Sequence, residues 1–209
     1  MAFSGQSMEN TLGAYLAAQG KTQLRLAETT KYAHVTYFFN GGVEAPYPDE
    51  DRKLIPTSEV ATFDLMPEMS AYPITDAAVG AITSQDYDLI VMNYANADMV
   101  GHTGIIPATI KALETVDACV GRVIEALMSV DGQMFVCADH GNADKMIEPG
   151  SGEPFTAHTT NPVPFVLVNC KLAKGLDSGG KLCDISPTIL DMMGLPQPKE
   201  MTGRSLLLK

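Results

Sequence analysis

The stretch Leu89-Ile-Val-Met-Asn-Tyr-Ala-Asn-Ala-Asp98-Met-Val-Gly-His102-Thr-Gly104 places a carboxylate and an imidazole four residues apart, just after a short apolar run. Apolar runs of this length that end in small and polar residues are typical of buried strands. The pattern therefore predicts a strand over residues 87–94, with Asp98 and His102 in the segment that leaves its carboxyl end.

Two further strand-like runs have the same kind of side chain nearby. Residues 134–138 are followed by Asp139 and His140, and His158 lies just ahead of the run at 163–168. In an open α/β sheet, the loops at the carboxyl ends of the strands form the ligand crevice. Three of the four histidines are therefore expected in the ligand crevice.

Strand-like runs alternate with helix-like segments, which favours an α/β layered domain over a β-sandwich or a helical bundle. The patterns predict strands at 23–27, 87–94, 134–138 and 163–168. They predict helices at 8–19 (capped by Ser7), 76–83, 107–127 and 185–193 (capped by Asp184 and ended by Gly194 and Pro196). Nothing resembles a long linker, so residues 1–209 are expected to form a single domain.

Two segments are harder to assign. Residues 32–39 are aromatic and β-branched, which favours a strand, but the spacing of Tyr32, Val35 and Phe39 also fits a helix, and periodicity leaves the choice open. His34 lies in this aromatic run and is expected to be a packing or surface residue. Residues 41–57 contain three prolines among several charges and are expected to form a loop.

Composition excludes several classes of function. The chain of 209 residues is 45% apolar and carries a formal net charge of -11. Such a surface repels phosphate backbones and anionic lipid, and no apolar run approaches the ~20 residues of a membrane helix. We expect a soluble, cytoplasmic protein that binds neither nucleic acid nor membrane. Its four widely spaced cysteines are expected to be reduced core residues.

The strand-end side chains have the chemistry of a transition-metal site. Aspartate and neutral histidine suit Mn²⁺, Zn²⁺ or Fe²⁺, whereas Ca²⁺ and Mg²⁺ prefer oxygen ligands alone. Each residue also has an ordinary explanation, because Asp98 could cap a turn and Asp139-His140-Gly-Asn is acceptable turn chemistry. The five residues together favour metal binding and exceed the needs of one tetrahedral site, so we expect two ions, or one ion with an open position.

Several motifs resemble those of cofactor-independent phosphoglycerate mutases, which are members of the alkaline phosphatase superfamily. The resemblance covers essentially the whole chain. It is carried by the segments Gln6–Gly13, Ala27–Gly42, Asn93–Gly104, Ala138-Asp139-His140-Gly-Asn-Ala-Asp144, Thr156-Ala-His158-Thr-Thr-Asn-Pro-Val-Pro164 and Asp184–Gly194. It implies a three-layer α/β/α sandwich around a central, mostly parallel sheet, and it implies that residues 30–39 are helical.

The resemblance also implies a reaction and a set of site residues. In this family, two manganese ions assist transfer of a phosphoryl group between phosphoglycerate and a serine, which interconverts the 3- and 2-phospho isomers. By motif, Asp98, His102 and His158 resemble the ligands of the first ion, and Asp139 and His140 resemble two ligands of the second. Lys31 resembles the lysine that contacts the phosphoryl group, although a lysine in its place could also be an ordinary surface residue. Zn²⁺ or Co²⁺ would suit the same ligands.

The chain departs from the family in what it lacks. The family's nucleophilic serine, a further aspartate ligand and the transferase domain that holds the glycerate have no counterpart among these residues. We therefore expect the C-terminal part of a truncated phosphatase domain, a second ion that binds weakly, and no complete mutase cycle without the missing segments.

Three alternatives remain. Phosphopentomutases and other superfamily hydrolases share the Asp/His scaffold, but that mutase has Gly-His-Arg-Arg and His-Thr-Arg-Glu where this chain has Gly101-His-Thr-Gly104 and His158-Thr-Thr-Asn161. A metal-binding module without catalysis and a purely structural domain without metal are the others. Elemental analysis of the purified chain separates the last from the rest.

Overall fold

A computed structural model describes residues 8–209. Its strands are β1 (Gln23–Glu28), β2 (Glu50–Ile55), β3 (Leu89–Met92), β4 (Met134–Cys137), β5 (Phe165–Val168), β6 (Gly175–Leu176) and β7 (Leu207–Leu208). Its α-helices are α1 (Leu12–Ala18), α2 (Tyr32–Val35), α3 (Ala71–Ser84), α4 (Asn96–Gly101), α5 (Ile106–Ser129) and α6 (Ile185–Met192). Three short 3₁₀ turns lie at Thr29–Lys31, Phe63–Leu65 and Leu182–Asp184.

The centre of the fold is a parallel sheet with the strand order β2-β1-β3. All six residues of β1 are buried, as expected for the middle strand of a parallel sheet that is covered on both faces. Leu24 and Leu26 of β1 pack against α3 and α5 in one apolar cluster. On another side, Leu89 of β3 packs against a cluster from α1 and α6. The predicted α/β/α layering is confirmed.

The remaining strands form two separate antiparallel pairs. β4 pairs with β5, and β6 pairs with β7, and within residues 8–209 neither pair is hydrogen-bonded to the parallel sheet. The connection from β4 to β5 contains no helix. A parallel pairing would have needed such a crossover, whereas an antiparallel pair does not.

The prediction of a loop over residues 41–57 is wrong, because β2 occupies its second half. This strand pairs in parallel with β1 from Gln23 opposite Glu50 to Glu28 opposite Ile55. Its sequence, Glu-Asp-Arg-Lys-Leu-Ile, does not resemble a buried strand because β2 lies at the edge of the sheet, where charged side chains are common. The buried Glu50 is held by Arg52 and Asn40, whose donor nitrogens lie 2.7 and 2.8 Å from its carboxylate.

The predicted helices exist, but several of their ends differ. Ser7, the expected cap of the first helix, lies outside the described residues, and this helix begins at Leu12 with Thr11 as its cap. The segment expected at 30–39 is helical only over α2, after a 3₁₀ turn. Helix α3 begins five residues earlier than predicted, with a proline tolerated in its first turn. Asp184 does not cap α6 with its side chain.

The cysteines are less buried than expected. Cys119 is in the core, but Cys137 and Cys183 are exposed and Cys170 is half-buried, so the expectation of core residues holds only for Cys119. The apolar neighbours of Cys137 in β4 suggested a core position, but these neighbours are themselves only half-buried. In the part of the chain from residue 8 onward, no helix combines the length and the apolar character needed to cross a membrane.

Candidate metal centre

Asp98 is the centre of the candidate site. It lies in the first turn of α4, the short helix that follows β3, and its side chain is 15% exposed. Its Oδ1 atom lies 3.1 Å from Nε2 of His102 and 3.1 Å from Nε2 of His158. The three residues predicted as ligands of the first ion are therefore brought together, although they come from two segments that lie far apart in the chain.

The orientation of His102 is fixed by the backbone. As the residue that directly follows α4, with helical backbone angles and four positions after Asp98, it lies on the same face as the carboxylate. Its Nδ1 atom lies 2.7 Å from the carbonyl oxygen of Thr156, and only a protonated nitrogen can make that hydrogen bond. In the neutral ring, the lone pair is then on Nε2, which faces Asp98. Proteins usually orient a histidine ligand by a hydrogen bond from the ring nitrogen that does not bind the metal.

His140 also joins this group. Its ring stacks on that of His158 with centroids 3.7 Å apart, and its Nε2 lies 4.0 Å from Oδ1 of Asp98. One ligating atom from each of Asp98, His140 and His158 lies within 4.8 Å of the other two. The sequence motif associated His140 with the second ion, but in the structure His140 belongs to the same cluster as Asp98 and His158.

Asp139 stands apart from the other predicted ligands. Its side chain is 60% exposed, and its carboxylate lies 3.6 Å from Nε2 of His140. Within residues 8–209, the cluster residue that its carboxylate contacts is His140. The carboxylate of Asp139 is therefore open to solvent, whereas the ring of His140 is mostly covered.

Lys31 contacts the other carboxylate oxygen of Asp98, Oδ2. It ends the 3₁₀ turn that follows β1, and its Nζ atom is 2.5 Å from Oδ2 of Asp98. The contact follows from topology, because β1 and β3 are parallel neighbours and their carboxyl ends meet at one edge. Burial opposes ionisation of Asp98, but the hydrogen bond and charge of Lys31 outweigh it, so the pKa of Asp98 lies below its usual range.

The donor set fits a divalent transition metal. A carboxylate and two imidazoles converge so closely that Nε2 of His102 and Nε2 of His158 are 3.1 Å apart. Converging lone pairs repel unless a proton or a cation lies between them. Mixed nitrogen and oxygen donors suit Mn²⁺, Zn²⁺ or Co²⁺ better than Ca²⁺ or Mg²⁺.

His34, the fourth histidine, is a surface residue that meets Phe38 edge-on, with ring centroids 5.5 Å apart. Burial lowers the pKa of His34, and the nearby positive charge of Lys31 does the same.

The sequence analysis missed one residue that contacts the cluster, Asn142, whose amide nitrogen lies 3.0 Å from Oδ1 of Asp98. Its position two residues after His140 was the available signal, but an asparagine after glycine also fits an ordinary turn.

The segment after parallel strand β3 and the connection between β4 and β5 bring a carboxylate and several imidazoles together, which defines a metal-binding α/β protein. Residues 3–197 match the family described as the Metalloenzyme superfamily. The chain belongs to this superfamily.

Curated relatives extend the comparison over the whole chain. The chain is 63% identical over 209 residues to a 2,3-bisphosphoglycerate-independent phosphoglycerate mutase of Lachnoclostridium phytofermentans, covering 100% of this chain and 41% of the relative. It is 56% identical to the enzyme of the same name from Pseudomonas fluorescens, covering 99% of this chain and 40% of the relative. The chain thus spans about two fifths of the length of these relatives.

A solved structure agrees in fold. The chain superimposes on a crystal structure of Leishmania mexicana phosphoglycerate mutase, determined at low cobalt concentration, with a TM-score of 0.86 and 32% sequence identity. The match covers 93% of this chain and 39% of that one. The resemblance to cofactor-independent phosphoglycerate mutases and the alkaline-phosphatase-like fold that it implied are confirmed.

Proposed function

We propose that this chain provides the metal-binding, phosphoryl-transfer site of a cofactor-independent phosphoglycerate mutase that interconverts 3-phosphoglycerate and 2-phosphoglycerate in glycolysis and gluconeogenesis. The observation that carries the proposal is the convergence of Nε2 of His102 and Nε2 of His158 on one oxygen of Asp98, each at 3.1 Å. Whole-chain identity to relatives with this name supports the mutase over a phosphopentomutase or another hydrolase of the superfamily.

We assign two divalent cations to the site, with Mn²⁺ as the first choice and Zn²⁺ or Co²⁺ as alternatives. Asp98, His102 and His158 would hold the first ion, and His140 and the exposed Asp139 would contribute to the second. When bound, such a pair of cations activates a hydroxyl and neutralises charge on the oxygens of a phosphoryl group. With two protein ligands from this chain, the second ion would bind weakly.

Lys31 has the chemistry of a phosphoryl-binding residue. It is a nearly buried cation, with 9% of its side chain exposed, at the edge of the sheet where the cluster lies. A net charge of -11 repels an anionic substrate, so local positive charge is needed to hold a phosphate. In the proposed site, Lys31 keeps the Asp98 carboxylate ionised and presents its remaining N–H groups to a phosphoryl oxygen.

We propose that no residue of this chain is the nucleophile. The phosphorylated serine and the groups that hold the glycerate would come from other segments of the same enzyme. Phosphoryl transfer depends on positioning and charge neutralisation together with an in-line nucleophile, so the 209 residues alone would bind metal without completing the cycle. A cytoplasmic location is part of the same proposal, because the substrate is a metabolite of glycolysis.

Two measurements on the purified 209-residue chain test this proposal. Elemental analysis after dialysis against Mn²⁺ should find close to one tightly held ion per chain, and an enolase-coupled assay should find no conversion of 3-phosphoglycerate. A folded chain that retains no metal would contradict the assignment of the site. Isomerase activity in this chain would refute the proposal that the nucleophile lies elsewhere.

A further inference from the structure

The turn formed by residues 141–144, Gly-Asn-Ala-Asp, contacts both of the other segments that carry predicted ligands. It directly follows His140, and it sends one side chain to α4 and another to the segment around His158. This 141–144 turn therefore connects the three segments of the candidate site through hydrogen bonds of its own side chains.

Asn142 is the contact with α4. Its Nδ2 atom donates to Oδ1 of Asp98 at 3.0 Å, and the residue is only 5% exposed. Among the residues that the structure describes, its Oδ1 atom has no hydrogen-bond partner, and it lies against Gly101, where an added Cβ would be 2.3 Å away. The amide cannot turn around, because its oxygen would then face a carboxylate. Glycine at position 101 is what allows Asn142 to approach so closely.

Asp144 is the contact with the segment around His158. Its carboxylate accepts hydrogen bonds from Oγ1 of Thr159 at 3.0 Å and from Nδ2 of Asn161 at 2.6 Å. The hydrogen bond from Asn161 is the main reason that the pKa of Asp144 lies below its usual range. The backbone N–H of Thr159 also donates to the carbonyl of Gly141 at 2.8 Å.

A second glycine makes this contact possible. A Cβ at Gly141 would lie 2.2 Å from Oγ1 of Thr159 and 2.5 Å from Oδ1 of Asp144. Because His158 directly precedes Thr159, these bonds hold its ring against that of His140. Each contact of the turn thus depends on a glycine at the point of closest approach, Gly101 for Asn142 and Gly141 for Asp144.

We propose that Asn142 and Asp144 are positioning residues for the metal centre. Asn142 orients the Asp98 carboxylate, and Asp144 holds His158 in place beside His140, so the turn sets the affinity of the chain for its first divalent cation. This inference rests on the proposed metal site. Partners that orient metal ligands in this way typically change metal affinity by about 10- to 100-fold when they are removed.

Asp131 offers a matched control at the other end of the same pair of strands. Like Asp144, it is an exposed carboxylate that contacts an asparagine and holds two loops together, through Asn169 and Lys171. Asp131 precedes β4, whereas Asp144 follows this strand. A substitution of Asp131 by Asn tests the loss of such a carboxylate away from the cluster, and Asn tolerates the positive φ of 56° at that position.

The experiment compares Asn142→Ala, Asp144→Asn and Asp131→Asn with the unmodified 209-residue chain. Isothermal titration with Mn²⁺ and visible absorption spectra with Co²⁺ report affinity and ligand geometry without any activity assay. We expect Asn142→Ala and Asp144→Asn to weaken binding about 10- to 100-fold and to alter the Co²⁺ spectrum, and Asp131→Asn to do neither. Thermal unfolding in chelator measures how far each substitution affects the metal-free fold.

The outcomes separate the two proposals. If the unmodified chain binds neither ion, the metal site itself is wrong. If it binds and both turn variants bind as tightly, or if Asp131→Asn weakens binding as much as they do, the positioning role is wrong. Should Asn142→Ala fail to fold, Gly101→Ala replaces it, because the added methyl displaces the Asn142 amide; unchanged affinity in that variant counts against the proposal.

Discussion

Lys31 and Asp98 form an ion pair across the carboxyl ends of two neighbouring parallel strands, with Nζ 2.5 Å from Oδ2. The two side chains are 9% and 15% exposed, so the pair is shielded from most solvent. The other oxygen of Asp98 faces the imidazoles of His102 and His158. Asp98 therefore divides its two oxygens between a fixed cation of the protein and the candidate metal position.

The first prediction concerns this ion pair. We expect Lys31→Met, which keeps an apolar stem of similar length, to lower the free energy of unfolding in chelator by about 1.5–3 kcal/mol at pH 7, the usual range for a hydrogen bond to a charged group. The lowered pKa of Asp98 means that the pair stabilises the fold above the unfolded-state pKa of ~3.9. This stabilisation is lost as pH falls through the lower folded-state pKa.

Urea unfolding of both proteins at a series of pH values from 7 to 2 measures the effect. The difference between them should be full at pH 7 and should shrink at acid pH, where Asp98 is protonated in both states. A difference that stays constant down to pH 2 would show that Lys31 acts through packing rather than through the charge of Asp98.

The second prediction concerns the histidines. We expect His158→Ala to weaken Mn²⁺ binding by more than the roughly 10- to 100-fold that the loss of an orienting partner causes, because a direct ligand is removed. His34→Ala is the matched control, since His34 is exposed and contacts Phe38 rather than Asp98. Isothermal titration measures both variants. Equal losses in the two would place the ion away from Asp98.

One part of the candidate cluster follows from a topological rule. Parallel strands bring their carboxyl ends to one edge, so Asp98 and Lys31, which follow β3 and β1, had to lie close together. The spacing of four residues then put His102 on the same helix face as Asp98. What the sequence did not predict was the approach of His140 to Asp98, because that distance depends on how a loop without regular structure folds over the sheet.

Two other features were missed for physical reasons. β2 carries charges at four of its six positions, and an edge strand with solvent on one side needs no apolar pattern. Asn142 and Asp144 lie in a turn, where such residues are common whatever their function. The two nearby glycines, Gly101 and Gly141, were a further sign of a close approach, but their role depends on contacts with distant residues.

The third prediction concerns Asp184 in the C-terminal region. Its carboxylate accepts hydrogen bonds from the backbone N–H groups of Lys181 at 2.8 Å and Arg204 at 2.9 Å, and the bond from Arg204 is the main reason that its pKa is lowered. We expect Asp184→Asn, which keeps only one acceptor oxygen, to cost about 1.5–3 kcal/mol at pH 7.

The sign again follows from the lowered pKa of Asp184. Its contribution is present above ~3.9 and is lost as pH falls through the folded-state value, so the wild-type and variant curves should converge in acid. Chemical denaturation at pH 7 and pH 2.5 checks this. Asp177→Asn is the control, because its carboxylate pairs with the exposed guanidinium of Arg204, and exposed pairs contribute about 0–1 kcal/mol.

The last prediction compares two glycines. A Cβ at Gly203 would lie 2.1 Å from the carbonyl oxygen of Cys183 and 2.8 Å from Oδ1 of Asp184, so Gly203→Ala forces backbone to move and should cost at least about 1–3 kcal/mol. Gly121 lies inside α5, and a Cβ there would meet no atom of residues 8–209 within 4 Å apart from the nearby backbone of its own helix. Gly121→Ala should therefore stabilise the chain by about 0.5–1 kcal/mol, the difference in helix propensity between the two residues. Thermal and urea unfolding of both variants give the two signs, and a neutral effect at Gly203 would mean that the C-terminal segment packs less tightly on Cys183 than these distances imply.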